Sequence, residues 1–315
     1  MKLLLQAPPV RHVSFGLTKA LIRLGVNVDV LSRDSCLIPE LLGEEAWRPS
    51  LIGLLMGPLG LRSSKMRGLR MLYMPVLPSK RASRLSFELW FNVYVKRMLC
   101  RYDVIHTNSA GDNLPIRMAN LNVDMVHTVH GSAFLLYNFI YGLEKAPPSY
   151  RKYYENDLRC VETLVEIGIP MTTLSAFMRD MLRRYIGANA EVIYNGCDIS
   201  RFNINVPGKA MRKLWKIPED KKVVIWAGRT TSHKDPLTFL RAIPLVMKKH
   251  GDAVFILEGC GPLDIIIKRE ISRLKLHSTI FKNTWLPETI MPYLYAMSDV
   301  FVATYLYEAF GITVV

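Results

Sequence analysis

Two cations, Arg229 and Lys234, share the segment Gly228-Arg229-Thr230-Thr231-Ser232-His233-Lys234, directly after the apolar run Val223-Val224-Ile225-Trp226-Ala227. Across one loop such a pair clamps two phosphates, the guanidinium bidentately and the ammonium as a point charge. Gly228 at the strand end lets backbone approach a ligand closely. An ordinary exposed loop has the same composition, so these residues alone do not decide. Further on, Glu258-Gly259-Cys260-Gly261-Pro262 follows Phe255-Ile256-Leu257. Gly259 and Gly261 permit positive φ and leave amides for an anion, and they also suit a plain turn. In Tyr307-Glu308-Ala309-Phe310-Gly311-Ile312 the Glu308 carboxylate suits accepting sugar hydroxyl bonds, and the amides that follow it can donate others. Equally, Glu308 suits a helix N-terminus, where the dipole favours an anion. In the first half, Val126-His127-Thr128-Val129-His130-Gly131 puts His130 at a strand end, with His127 packed inside the strand. His106, in Asp103-Val104-Ile105-His106, reads as a core histidine on the preceding strand.

All of these stand just after apolar runs, where open parallel sheets bind ligands. The elements that must position them alternate along the chain. Leu3–Leu5 and Val26–Leu31 read as strands around a helix capped by Ser14 and closed by Gly25. Leu85–Cys100 reads as an amphipathic helix, and strands are expected at Val104–His106, Met125–His130, Met171–Leu174 and Glu191–Tyr194. Helices are expected over Tyr150–Glu166 and Ser175–Tyr185. Asn203–Asp220, with Pro207, Gly208 and Pro218, reads as a junction. Strands then recur at Lys222–Ala227, Ala253–Leu257, Thr279–Phe281 and Asp299–Thr304, separated by helices over Pro236–Lys249, Leu263–Leu274 and Glu288–Met297. Ala309–Val315 reads as the opening of a further helix. Short strands alternating with helices predict parallel sheets with crossovers. The expected fold is α/β, two Rossmann-like domains (1–205 and 206–315) facing a cleft, the second incomplete.

The 315 residues are 50% hydrophobic and 22% charged, which excludes a disordered or collagen-like chain and a disulfide mini-protein. No apolar stretch reaches the roughly 18–20 residues that span a bilayer, and the start, MKLLLQAPPV, is too short for a signal peptide. The cysteines, Cys36, Cys100, Cys160, Cys197 and Cys260, form no CxxC and have no nearby His pair, which points to a reducing compartment without structural zinc. A cytoplasmic protein, free or peripheral at the inner face of the membrane, is the resulting expectation. The net charge of +14 is uneven. Between Glu45 and Glu88 there is no acid, yet Arg48, Arg62, Lys65, Arg67, Arg70, Lys80, Arg81 and Arg84 flank the apolar Leu51–Leu59. Arg62, Lys65, Arg67 and Arg70 are the candidate contacts to an anionic membrane or a lipid-phosphate acceptor; the alternative is a loop-and-helix insertion. No nucleic-acid partner is expected, since no zinc finger, RRM-type motif or patterned basic helix is present.

Taken in order, Asp103–His106, Thr128–Gly131, Asn195-Gly196-Cys197-Asp198, Gly228-Arg229 with Lys234, Gly259–Pro262, Asp299–Val302 and Glu308–Gly311 resemble the group 1 glycosyltransferases, family GT4, of GT-B fold. The resemblance covers nearly the whole chain and is tightest from Val192 onward. It implies that Arg229 and Lys234 hold the diphosphate of a nucleotide sugar, a co-substrate, with no separate cofactor and no bound metal. It also implies that Glu308, the first Glu of an E-x7-E motif, contacts the donor sugar. His130 matches the acceptor-side active-site histidine, and the implied chemistry is glycosyl transfer with retention. The alternatives are a nucleotide-sugar epimerase of the same architecture, or a non-catalytic basic binding protein or inactive fragment. Three positions depart from the family pattern. Pro8-Pro9-Val10 replaces a Gly-rich loop, Thr304-Tyr305 stands where Pro-Ser is usual, and Cys260 takes an often acidic position. The second Glu of the motif would fall one residue past Val315, and the second half has only about four strands. The chain is thus expected to stop short of a whole domain, while its oligomeric state is open.

Overall fold

Leu3, Leu4 and Leu5 are 6%, 0% and 0% exposed, burial on both faces that a central strand of a covered parallel sheet provides. The computed structural model describes residues 1–6, 11–32, 62–66, 69–73, 96–108, 114–131, 135, 138, 142, 148–276, 279–282 and 286–315. The expectations placed on Pro8–Val10, Cys36, Arg48, Leu51–Leu59, Arg67, Lys80, Arg81, Arg84 and residues 85–95 lie outside them. The chain packs as two units, Met1–Asn195 and Gly196–Val315.

The first unit contains strands β1 (Lys2–Gln6), β2 (Asn27–Ser32), β3 (Arg62–Met66), β4 (Leu69–Tyr73), β5 (Val104–Thr107), β6 (Asp124–Val129), β7 (Met171–Thr173) and β8 (Ala190–Val192). Its helices are α1 (Arg11–Arg23), α2 (Lys96–Leu99), α3 (Leu114–Ala119), α4 (Pro148–Ile167) and α5 (Ala176–Ile186). The sheet order is β3-β4-β2-β1-β5-β6-β7-β8, with every neighbouring pair parallel except β3 and β4. Ser175 caps α5 by accepting from the Met178 amide at 3.2 Å, and Gly187, at φ 70°, closes it. Ser14 is no cap. Helix α1 begins three residues earlier, at Arg11, which puts Ser14 inside it. The basic segment also differs from a loop-and-helix insertion, since its described part is an antiparallel strand pair on the sheet edge.

The second unit has β9 (Lys222–Ala227), β10 (Ala253–Glu258), β11 (Thr279–Lys282) and β12 (Val300–Phe301), with α6 (Gly208–Leu214), α7 (Pro236–Met247), α8 (Asp264–Arg273) and α9 (Met291–Ala296). Its order is β11-β10-β9-β12, all parallel. Alternation along β9 splits the core in two. Trp226 packs with Phe239, Leu240 and Ile243 of α7 and Ile267 of α8, whereas Val223 and Ile225 pack with Met211 of α6 and Leu294 of α9. Helix α6 occupies what composition suggested was a junction. A Cβ on Gly208 would lie 2.2 Å from the Ala296 carbonyl oxygen, so this glycine permits close packing of α6 on α9 rather than marking a linker. The expected strand Asp299–Thr304 shortens to β12, and Ala309–Val315 forms no helix but a turn in which the Val314 amide donates to Gly311 O at 2.8 Å.

One device recurs in both units. The Lys2 amide donates to Asp103 Oδ2 at 2.6 Å while the Asp103 amide donates to Lys2 O at 2.9 Å. Likewise the Val223 amide donates to Asp299 Oδ2 at 2.7 Å and the Asp299 amide returns to Val223 O at 2.8 Å. In each case an aspartate ahead of a strand pins the start of the unit's first strand, across the point where strand order reverses. Arg212 adds a bond to Asp299 at 2.8 Å. Asp299→Ala should therefore lower stability by about 1–3 kcal/mol, the scale for charged hydrogen bonds, and Asp299→Asn by less. Urea midpoints for the two variants check this ordering.

Candidate functional site

The reversals fall between β1 and β5 and between β9 and β12, which directs attention to the loops leaving these strands. In the second unit the loops after β9 and β10 lie backbone against backbone. The Gly228 amide donates to Glu258 O at 3.1 Å and the Thr230 amide to Cys260 O at 3.3 Å. A Cβ on Gly259 (φ 122°) would lie 1.9 Å from the Gly228 carbonyl oxygen, so only glycine fits. The Gly261 amide donates to Asp264 Oδ1 at 2.9 Å, which also accepts from the Thr230 hydroxyl. That amide is engaged inside the loop rather than left open for an anion.

Lys234 ends a short 3-10 turn (Ser232–Lys234), before Asp235 caps α7 by accepting from the Thr238 amide at 3.2 Å. The Lys234 ammonium donates to Glu308 Oε2 and lies 4.0 Å from the ring centroid of Tyr305. The two side chains of this ion pair are 17% and 32% exposed. Burial, and then the charge of Arg229, pull the ammonium down to about 8. Burial also holds His233 neutral, at about 4, with Lys234 and Arg229 acting in the same direction. Arg229 is exposed. The structure thus brings Arg229, Lys234 and Glu308 to one loop cluster beside Gly228 and Gly259. Phe310, Gly311 and Ile312 follow Glu308 after Ala309, and a Cβ on Gly311 would lie 3.2 Å from Glu308 Cγ.

Two residues of this cluster had no role in the motif reading. Glu258 is 1% exposed, and its Oε1 accepts from the Leu286 amide at 3.2 Å. Burial raises its carboxyl to about 7, opposed by that amide. Tyr305 donates its hydroxyl to Ala227 O at 2.6 Å. Both signals were present as oddities: an acid closing an apolar strand, and an aromatic residue where the family pattern is small.

In the first unit, alternation puts His106, Asn108, Thr128, His130 and Thr172 on one sheet face. His106 Nε2 bonds Thr128 Oγ1 at 2.6 Å, and Thr128 Oγ1 bonds Thr172 Oγ1 at 2.6 Å. His130 Nε2 lies within hydrogen-bond distance, 2.7 Å, of Asn108 Oδ1. His130 Nδ1 is buried without a hydrogen-bond partner among the described residues. Burial, and secondarily His106, lower His130 to about 4, so it is neutral at pH 7. His127, on the opposite face, is fully buried and bonded to Thr107 Oγ1 at 2.8 Å, as expected of a packed residue. Asn108 was missed, although it stands two residues past His106 and so on the same face.

Arg62 and Lys65 belong to the edge strand β3, and Lys65 stands directly opposite Arg70 of β4 in the register. Among the described residues, no three His, Cys, Asp or Glu side chains gather as a metal site requires, and no helix is long and apolar enough to cross a membrane.

Solved structures with this architecture include a glycosyltransferase from Rickettsia africae, 18% identical, with TM-score 0.66 over 99% of this chain and 75% of that one. Anabaena HepE in complex with UDP-glucose is 16% identical, with TM-score 0.66 over 100% of this chain and 77% of that one. The fold is GT-B: two Rossmann-like α/β units with parallel sheets. The family model for Glycosyltransferase Family 4 matches residues 10–201, and that for Glycosyl transferases group 1 matches residues 209–315. The chain belongs to glycosyltransferase family 4, with a group 1 second half. A Bacillus subtilis protein that carries a glycosyltransferase name, YtcC, is 26% identical over 42% of this chain and 36% of its own length. The matched part spans about a third of the length of the curated relatives.

Proposed function

We propose that this protein transfers a sugar, with retention and without a metal, from a nucleotide-sugar donor to an acceptor at an anionic membrane surface. The observation that carries the reading is the meeting of Lys234 and Glu308 beside Arg229 at the strand-order reversal of the second unit. Breaking the bond from the anomeric carbon to the phosphate oxygen sends its electron pair to the departing nucleoside diphosphate. Fixed cations stabilise that charge without having to reorganise, a part suited to Arg229 and Lys234. Glu308 and the Phe310–Ile312 amides suit the donor sugar hydroxyls. In the front-face route the acceptor oxygen bonds the anomeric carbon while its proton passes to the leaving phosphate oxygen. His130, neutral and hydrogen-bonded to Asn108, suits helping to orient the acceptor rather than attacking as a nucleophile. Supporting the donor class, the Anabaena neighbour is a complex with UDP-glucose.

The test is a panel of nucleotide sugars with lipid-phosphate acceptors, followed by NMR of the product. Product with the donor's anomeric configuration supports the reading. Donor turnover that ignores the acceptor favours an epimerase or hydrolase, and inverted product contradicts retention.

The membrane part rests on the eight cations between Glu45 and Glu88. Lys65 of β3 stands opposite Arg70 of β4 in the register, so the strand pair places cations along one edge of the sheet, a placement that suits an anionic surface. Each cation near such a surface adds about 1 kcal/mol before screening. Liposomes with anionic lipid should therefore float the protein at low salt and lose it at moderate salt. A variant with Arg62, Lys65, Arg67 and Arg70 changed to Gln should float far less. Equal flotation of both, or none of wild type, removes the membrane assignment.

A further inference from the structure

Thr304 and Tyr305, which depart from the family pattern, join the Leu306 amide, which donates to His233 O at 2.8 Å, in tying the segment after β12 to β9 and the loop that follows it. Thr304 Oγ1 accepts from Trp226 Nε1 at 3.1 Å and donates to Asp235 O at 2.6 Å, at the cap of α7. The Tyr305 hydroxyl donates to the carbonyl of Ala227, the last residue of β9. Its ring stands edge-on to Trp226, with centroids 6.0 Å apart at 88°. Trp226 is fully buried, so the ring rests on a rigid base. The ring's face is what the Lys234 ammonium meets at 4.0 Å.

We propose that Tyr305 is a positioning residue of the donor site, its ring face holding the Lys234 ammonium over the loop cluster so that a diphosphate meets a fixed cation. This rests on the nucleotide-sugar reading given above. The side chain divides the work. The hydroxyl and the ring edge anchor Tyr305 to β9, while the ring face carries the cation. A lysine stem has four rotatable bonds, and the only other described partner of its ammonium is Glu308, an anion that would compete with phosphate. The π face attracts the ammonium without neutralising it. Lys234 is thereby held in place yet keeps its charge for the ligand. A small residue at this position would offer no such face.

Three variants separate the ring from the hydroxyl: Tyr305→Phe keeps the face, and Tyr305→Leu and Tyr305→Met remove it. Two readouts follow. With [13Cε]-lysine labelling, the Lys234 signal, assigned through Lys234→Arg, should be shifted upfield by the ring current in wild type and in Tyr305→Phe. It should move to the ordinary lysine position in Tyr305→Leu. Affinity for a nucleoside diphosphate such as UDP should fall about tenfold in Tyr305→Leu, on the scale of a desolvated cation–π contact, and at most about threefold in Tyr305→Phe. In a Lys234→Ala background the same Leu substitution should cost less than twofold, because only coupled residues depart from additivity. A Lys234 signal that is unshifted in wild type, or equally shifted in all variants, overturns the proposal, as does a Leu effect that persists without Lys234. Tyr305→Met serves the same comparison if Tyr305→Leu does not fold. If wild type shows the shift yet binds no nucleoside diphosphate, the nucleotide reading fails. The ring–ammonium contact then stands, but its role in donor binding is overturned.

Discussion

Lys234→Ala is expected to weaken nucleoside diphosphate binding by about 1.5–3 kcal/mol, roughly 10- to 150-fold, the range for a charge-assisted contact. The substitution removes an ammonium that is partly desolvated and already held by Tyr305. The same group sets a pH dependence. Burial and Arg229 lower Lys234 to about 8, so above that pH the free protein has lost the proton that a bound diphosphate demands. Binding must then take up a proton, and affinity should fall as pH rises from 7 to 9.5, approaching about tenfold per unit at the upper end. Below pH 7 Lys234 is fully charged and contributes no slope. In Lys234→Ala the fall above pH 8 should vanish. Calorimetric titrations of both proteins across that range check the magnitude and the sign together, and a wild-type affinity that rises with pH would exclude Lys234 as the titrating group.

Glu308→Gln should separate nucleotide binding from turnover. In the free protein Glu308 is the anion paired with Lys234, so a diphosphate has to displace it. Neutralising it removes a competitor, and nucleoside diphosphate affinity should improve by a few-fold. The gain is bounded near 1 kcal/mol, because the pair is partly solvent-exposed and screened. Turnover with a nucleotide sugar should instead fall about 10²-fold or more, the scale for losing one preorganised polar contact to the reacting group. Displacement from Lys234 also links two events: the diphosphate takes the ammonium, and the released carboxylate becomes available to the donor sugar. Equal losses in both measurements would mean that Glu308 serves only to hold the loop.

Much of this arrangement was legible in the residues because strand ends are legible. Val223–Ala227 and Phe255–Leu257 are unbroken apolar runs, and the glycines after them mark where each strand stops, so Arg229, Lys234 and Gly259 could be assigned to loops on one sheet edge. Ser175 as the cap of α5 was similarly local. What escaped was either non-local or disguised by composition. The β3–β4 pair carries Arg62, Lys65 and Arg70 where strands usually carry apolar residues, and its register depends on β2. Helix α6 begins at Gly208, a residue that punctuates by default and here instead allows contact with Ala296. Ala309–Val315 has the apolar content of a helix start, but a first turn fixes several dihedrals for one hydrogen bond. Here the segment is a turn. The pairing of Lys234 with Glu308 and of His130 with Asn108 spans residues that only the sheet order brings together, and neither can be inferred from spacing.

In the proposed function, the loop cluster of the second unit binds the diphosphate of a nucleotide sugar through Arg229 and Lys234. The most direct test is a titration of a panel of nucleoside diphosphates into the wild-type protein and into the Arg229→Ala, Lys234→Ala double variant, with unfolding midpoints confirming that both are folded. At least one nucleoside diphosphate should bind wild type and lose most of its affinity, more than the loss from Lys234→Ala alone, in the double variant. Binding of equal strength to both folded proteins, or no binding of any member of the panel to wild type, would contradict the claim.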